Sequence, residues 1–529
     1  MRACSVPWRL HFGLWRPILL CATLSGCGAS VAQTITLEQA IAGALASNAN
    51  ILVARSQLAA TEATIQQQRG AFDTTLSVDG SRSRAVVPLR ASDQAALAAA
   101  GVNLQAQQSD AAQARVALNH TFPNGMQAGL SATHNHLLDN TQTAGGVPAQ
   151  STGVIAFQLR VPLMRNGALA TGAPLRAAQM EAEASRHELA QIASQTALGA
   201  ALAYWDYLGK LERLAIARSG EQRGEGLLEE LRKLVAADEV PRAELQLAQA
   251  SLTERRSARI GAEQSVLEAR RNLGRLLGLP AAEMMTLGAP ETRFPQVPAE
   301  SNAPPKAASV LQLAARAVQA RPDMLALLKR RDVARLRMEA ARHQEKPQLD
   351  LVLGATRNGL AEGARPWDAG ASFSGGAAPG LSVGLNYQLV LGGNTAEGTT
   401  RLLAESVTAL DIRSRELGYA VESAVETAAW AVNRAALQVT EAEKAVATYA
   451  SSLDNERIKR RMGIATLIEV LNVEDRYNAA LLAAVQARQG YASAIAQFRY
   501  EAALLVTPTG DGYQARLQDL VQLPAEMRN

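Results

Sequence analysis

The chain has 529 residues, enough for two to four domains or for one long repeated architecture. Apolar residues make up 48% of it but aromatics only 4%, a mixture that suits close-packed, alanine-lined helices better than a bulky globular core. The net charge of +4 falls to +1 if the first 32 residues are removed, since they carry three arginines and no acid, so nucleic acid has no electrostatic claim as a partner.

Those first residues read as an export signal. Arg2, Arg9 and Arg16 accompany a short apolar run from Ile18 to Leu24, too short to span a bilayer. Two cleavage readings compete. Ser30-Val31-Ala32 before Gln33 suits an ordinary signal peptidase and makes 1–32 the signal; Leu24-Ser25-Gly26-Cys27 matches a lipoprotein lipobox, which would end the signal at 26 and lipidate Cys27. The nearness of the first patterned helix to Cys27 leaves little tether and tips the balance slightly toward ordinary cleavage. Cys4, Cys21 and Cys27 are the only cysteines, so a chain cut after Ala32 has no disulfide framework. No later stretch offers 18 consecutive apolar residues, which leaves a periplasmic protein, a secreted one or an outer-membrane β-barrel.

After the signal, one unit is written twice: helix, strand region, very long helix, sharp turn, helix. The first copy covers 33–279. It opens with a helix over 37–69, passes through strands at about 72–163, and resumes as helix after Asn166-Gly167 until about Ala237. Pro241 marks a break before the helix continues to Leu279. A proline-rich linker follows at 280–308. The second copy covers 309–506, with a helix over 310–346 ended by Pro347 and strands at about 348–391. A long helix then runs from after Gly392-Gly393 to about Met462, breaks at Gly463 and continues to about Val506. A tail occupies 507–529.

The register supports duplication. Leu245-Gln246-Leu247 aligns with Val470-Leu471-Asn472 at an offset of 225, and Asn166-Gly167 with Gly392-Gly393 at 226. Before the strands, Leu76-Ser77-Val78 matches Leu349-Asp350-Leu351 at 273, so the first copy carries an insertion of 47 residues, the difference of 273 and 226. It contains a hairpin pattern, Val116-Ala117-Leu118 and Met126 to Leu130, turning at Pro123-Asn124-Gly125.

Each long helix should extend about 100 Å at 1.5 Å per residue. Val425, Val432, Val439, Val446 and Leu453 repeat every seven residues, with Ala428, Ala435, Ala442 and Tyr449 between them, which is a coiled-coil seam. The strands alternate: Ile155, Phe157, Leu159, Val161 and Leu163 in one, and Leu381, Val383, Leu385, Tyr387, Leu389 and Leu391 in another. One apolar and one mostly polar face is the pattern of a membrane barrel, though a half-buried soluble sheet gives it too. Two such pairs interrupting a long coiled coil in an exported chain favour the barrel. One principal pair per copy makes four strands per chain, with six as the alternative. Four cannot close a barrel, so the chain must oligomerise, and three subunits would supply twelve strands.

In this order the elements resemble the TolC-like outer-membrane efflux protein family, over nearly the whole chain from Thr36 to about Val506. The residues carrying the resemblance are Thr36-Leu37-Glu38-Gln39-Ala40 with Asn48-Ala49-Asn50, then Val161-Pro162-Leu163, then Arg321-Pro322-Asp323 with Lys346-Pro347-Gln348-Leu349. The last is the run from Gly463 to Asn472. The resemblance implies a mainly α fold with a β-barrel segment: a homotrimer whose twelve strands form one barrel in outer-membrane lipid, continued by a long periplasmic α-helical barrel. It also implies a passive, non-enzymatic exit duct without cofactor, served by a periplasmic adaptor protein and an inner-membrane pump in efflux or type I secretion. A periplasmic structural or adaptor coiled coil without a barrel is the alternative. Two departures stand out. The first periplasmic turn, glycine-bearing in the family, is here Ala237-Asp238-Glu239-Val240-Pro241, and the insertion either extends the barrel rim or forms an external loop.

By the same resemblance, the residues after the second turn line the periplasmic constriction, which points to Glu469 and Asn472, one helical turn apart. Gly463, Ile464, Ala465 and Thr466 form one tip; Asp238, Pro241 and Glu244 form the other. Three Glu469 side chains around an axis would attract cations, although an acid near a helix start is often simply solvated. Arg457, Lys459, Arg460 and Arg461 precede the second turn and are candidates to pair with acids of neighbouring helices. His134, His136 and His120 fall on neighbouring strands but lack the acidic or cysteine ligands a metal site calls for. Trp205 and Trp430 read as packing residues. No nucleophile elbow, phosphate loop, zincin pair or dinucleotide fingerprint appears.

Overall fold

The computed structural model describes residues 34–144, 146–298, 306–363, 365, 369–374, 379–510 and 512–522. Both signal readings, Cys27 included, lie outside the described residues.

The chain opens on two helices, α1 (Leu37–Ser47) and α2 (Ala49–Arg69). Thr36 and Gln39 close a capping box at the start of α1. The single helix expected over 37–69 is split at Asn48. Its side chain accepts from the Asn50 amide at 2.9 Å and donates to the Leu276 carbonyl at 2.8 Å, so it starts a new helix and ties it to the end of another. The helix expected over 310–346 is split in the same way, into α8 (Ala307–Ala320) and α9 (Pro322–Gln344). Here Pro322 occupies the first turn and disfavours helical geometry at Arg321. Arg321 is buried and reaches Glu501 Oε2 at 2.6 Å and Asp323 at 2.7 Å, which gives the Arg321-Pro322-Asp323 motif a structural role.

Two long hairpins follow the strand regions. In the first, α5 (Ala168–Ala236) turns into α6 (Arg242–Leu276); in the second, α11 (Asn394–Arg461) turns into α12 (Leu467–Glu501). The 69 and 68 residues of α5 and α11 span about 100 Å each. Ala193, Ala197, Ala200 and Ala201 on α5 are wholly buried, and such small residues let helices approach closely. The heptad seam is buried at Val425, Val432, Val439 and Leu453. Trp205 is fully enclosed between Tyr204 and Phe294. Trp430, expected to pack, is instead 39% exposed, since it lies off that seam.

The two hairpins turn by the same device. In the second, Gly463 takes a left-handed φ of +77°, and the Ile464 amide donates to Lys459 O at 2.9 Å. In the first, Asp238 takes φ +57°, and the Glu239 amide donates to Leu234 O at 3.0 Å. An aspartate therefore occupies the conformation a glycine adopts freely, at a cost of about 1 kcal/mol. Asp238→Gly is expected to stabilise this turn by about that amount. The measurement is amide hydrogen exchange over residues 234–244, which should slow; faster exchange would show that the Asp238 side chain contributes more than its backbone costs.

The strands form one antiparallel sheet in the order β1-β2-β3-β4-β5-β6. They are β1 (Thr75–Pro88), β2 (Ala106–Thr121), β3 (Gln127–Asp139), β4 (Gln150–Pro162), β5 (Gln348–Glu362) and β6 (Gly380–Gln388). Among the described residues this corrects the expected four strands of the sheet to six. The insertion is neither a rim extension nor an external loop: β2 and β3 pair along their length with β1 and β4. Four strands continue directly into helices, through α2–β1, β4–α5, α9–β5 and β6–α11. In contrast, β2 and β3 join through the tight turn at 122–126, where Gly125 at φ +87° lies against Asn166 at the entry to α5. A methyl on Gly125 would stand 2.1 Å from the Asn166 carbonyl oxygen, so only glycine fits.

The short elements are helices α3 (Ala91–Ala99), α4 (Asn140–Ala144), α7 (Ala281–Thr286), α10 (Ala369–Ser374) and α13 (Leu517–Val521), and a small hairpin of β7 (Thr507–Thr509) and β8 (Gly512–Gln514).

Candidate channel gate and membrane belt

One cross-strand row crosses the whole sheet: Leu76, Leu118, Leu130, Phe157, Ala355 and Leu381. Its large members are all exposed, Phe157 at 44% and Leu381 at 83%, although Leu118, Leu130 and Phe157 lie on interior strands. Val78, Val116, Ile155, Val383, Leu385 and Tyr387 extend this face and are exposed too. The next row, pointing the other way, reads Ser77, Ala117, Ser131, Ala156, Thr356 and Gly380. One face is thus a continuous apolar belt and the other is small and mostly polar, as a barrel wall between lipid and water requires. Above the belt, α10 covers the cross-strand glycine pair Gly153 and Gly359. There His134 Nδ1 lies 3.0 Å from Ser372 Oγ. His136 meets Ser151 Oγ at 2.9 Å, and His120 meets Thr74 Oγ1 at 3.1 Å. The three histidines are held by hydroxyls rather than converging on one point. Among the described residues no helix is long and apolar enough to cross a membrane.

At the opposite end of the helices, Leu228 and Leu231 of α5, Ala248 and Leu252 of α6, and Leu467 and Leu471 of α12 form a small core that fastens the two hairpin tips together. Glu469 is exposed at the third position of α12. Its carboxylate accepts from the Thr466 amide at 2.7 Å and hydroxyl at 2.9 Å, closing a capping box. Those two contacts hold its carboxyl below the usual glutamate range. Asn472 is exposed one turn further along. Glu244 occupies the first turn of α6, where its Oε2 lies 3.9 Å from Arg460 on the other tip. Of the basic run before the turn, Lys459 pairs with Glu456 on its own helix at 3.0 Å.

The strongest polar feature here is Glu474, which the sequence reading passed over. It is 2% exposed and accepts from Arg223 Nε of α5 at 2.7 Å and Arg255 Nη1 of α6 at 2.9 Å, with Arg457 of α11 at 3.9 Å. One carboxylate on α12 therefore ties all four long helices. Burial works against its charge, but the two arginine hydrogen bonds outweigh that and hold it below the ordinary carboxylate range. Arg223 also reaches Asn478 Oδ1 at 2.5 Å and Ser219 Oγ at 2.6 Å, and Arg255 reaches the Gly220 carbonyl at 3.1 Å. The signal was present in the sequence: Leu467, Val470, Leu471 and Glu474 share one helical stripe, so an acid falls where an apolar residue belongs.

Comparison with known proteins agrees with this architecture. Residues 313–500 match the family model described as outer membrane efflux protein. A membrane protein from Pseudomonas aeruginosa superimposes with a TM-score of 0.66 at 15% identity, covering 88% of this chain and 93% of that one. The outer membrane protein VceC from Vibrio cholerae gives 0.62 at 14%, covering 88% and 95%. The CmeC outer membrane channel from Campylobacter jejuni gives 0.62 at 13%, covering 88% and 85%. No curated protein matches in sequence.

Over 88% of its length the chain therefore shares the fold of these membrane proteins. The likeness to the outer membrane efflux protein family rests on residues 313–500, and the likeness of the whole chain to the solved structures is one of fold.

Proposed function

We propose that this chain forms a homotrimeric exit duct for efflux or type I secretion. An inner-membrane pump, through a periplasmic adaptor, would deliver substrates to it. The observation that carries this reading is the apolar row running unbroken across six strands while the adjacent row has only small residues, half of them polar. Water would not tolerate so large a bare apolar face, and lipid would not tolerate the open edges of a single sheet, so copies must close it. A periplasmic coiled coil without a barrel explains the helices but leaves this belt without a solvent. Purified from outer membranes in detergent, the protein is expected to be a trimer, and in planar bilayers it should conduct ions. A folded, monodisperse monomer released by osmotic shock would refute both trimer and duct.

A further inference from the structure

We propose that the barrel contains eighteen strands rather than twelve, closed where β1 of one protomer adds to β6 of the next. This rests on the trimeric reading above and extends it. Six hydrogen-bonded strands per chain make eighteen in three copies. Both sheet edges are exposed along every residue, 14 on β1 and 9 on β6. The β1 edge carries Asp79, Arg82, Arg84 and Pro88 toward its far end, but from Thr75 to Val78 it has no charge or proline. The β6 edge, which reads Gly-Leu-Ser-Val-Gly-Leu-Asn-Tyr-Gln, has none at all.

Direction and pattern both fit the closure. With an even number of alternating strands, β1 and β6 run antiparallel, so the edge of one copy meets the next copy in the same sense as every internal pair. Setting Thr75, where β1 leaves the helical end, opposite Gln388, where β6 returns to it, puts Leu76 against Tyr387 and Val78 against Leu385 on the lipid face. It also sets Ser77 against Asn386 and Asp79 against Gly384 on the inner face. A slip of one residue would reverse both faces and place Ser77 and Asp79 in lipid.

The helical part stays unchanged by this count. The extra pair, β2 and β3, closes on itself through the turn at 122–126 and adds no helix below. Each chain therefore feeds four strands into helices while contributing six to the barrel. With strands about 4.8 Å apart and tilted about 40°, eighteen make a backbone cylinder about 36 Å across, against about 24 Å for twelve. The mouth of the duct is thereby widened without altering the periplasmic tube.

The test is electron cryo-microscopy of the wild-type protein in lipid nanodiscs, counting strands in cross-sections through the barrel. Eighteen strands support the proposal, and a trimer with twelve overturns it. Particles that are not trimers would overturn the oligomeric reading instead, so the two failures are distinguishable. The closing edge has its own readout in a Ser77→Cys, Asn386→Cys double variant. Oxidation should give covalently linked oligomers on non-reducing gels that neither single variant gives. A strand map in which β1 borders β4 of its own chain overturns the interface.

Discussion

Glu474→Ala is expected to loosen the periplasmic end of all four long helices at once. The substitution leaves Arg223, 23% exposed, without its carboxylate, and Arg255, 10% exposed, with only the exposed Asp475 at 3.5 Å. Removing one partner of a buried ion pair costs about 3–5 kcal/mol, because the remaining charge has lost both water and counter-charge. Amide exchange should therefore quicken at the tips of α5, α6, α11 and α12 together, and resting conductance should rise. Adding Arg255→Ala to that background should cost much less than it does alone, since the two act through one contact. The pH dependence has a definite sign. Because the folded-state pKa of Glu474 lies below the ordinary glutamate value, its stabilisation is fully present above that value and is lost as pH falls through the lowered one. The tips should thus hold at neutral pH and loosen only in acid. Exchange that quickens in α12 alone would show that Glu474 stabilises its own helix and does not join the others.

How much of this could be read from the residues depended on whether a signal was periodic. The seam at Val425, Val432 and Val439 was legible because a heptad repeat has one geometric solution, and those side chains are buried. The strand faces around Phe157 and Leu381 were legible for the same reason, since alternation of large apolar and small polar residues survives any context. The strand β2 was not legible in full. Its stretch Ala106-Gln107-Gln108-Ser109-Asp110-Ala111-Ala112-Gln113 has no large apolar residue to alternate, yet it is held in the sheet by pairing with both neighbours. Long-range pairing overrode weak local preference there, which is why four strands were expected and six were found. The breaks at Asn48 and Arg321 arise from neighbours, the Asn50 amide and Pro322, but the contacts that hold them in place, to Leu276 and Glu501, lie far off in sequence. Glu474 was hidden differently. Its partners Arg223 and Arg255 are 251 and 219 residues away, and only the folded hairpins bring them to it.

The carboxylate ring proposed at Glu469 should make the duct prefer cations, and Glu469→Gln should abolish that preference. The choice of glutamine matters. Glu469 does two things at once: it closes the capping box with Thr466, and it places a negative charge at the tip of the second helical hairpin. Glutamine serves equally at the third position of a capping box, so Glu469→Gln keeps the cap and removes only the charge. Glu469→Ala removes both and would confuse a frayed helix with a neutral ring. The Thr466 hydrogen bonds favour the charged form, which in the proposed trimer would oppose the mutual repulsion of three carboxylates on a threefold axis. A multivalent cation added on the periplasmic side should then block wild-type channels. Block by a trivalent ion should weaken on the order of tenfold or more in Glu469→Gln, since the attraction scales with the product of the charges. Glu244→Gln should have a smaller effect, because Glu244 faces Arg460 and part of its charge is already answered. Single-channel recordings with ion gradients and added trivalent cation measure both selectivity and block. Equal selectivity and equal block in wild type and Glu469→Gln would place the constriction at other residues and leave Glu469 as a helix cap alone.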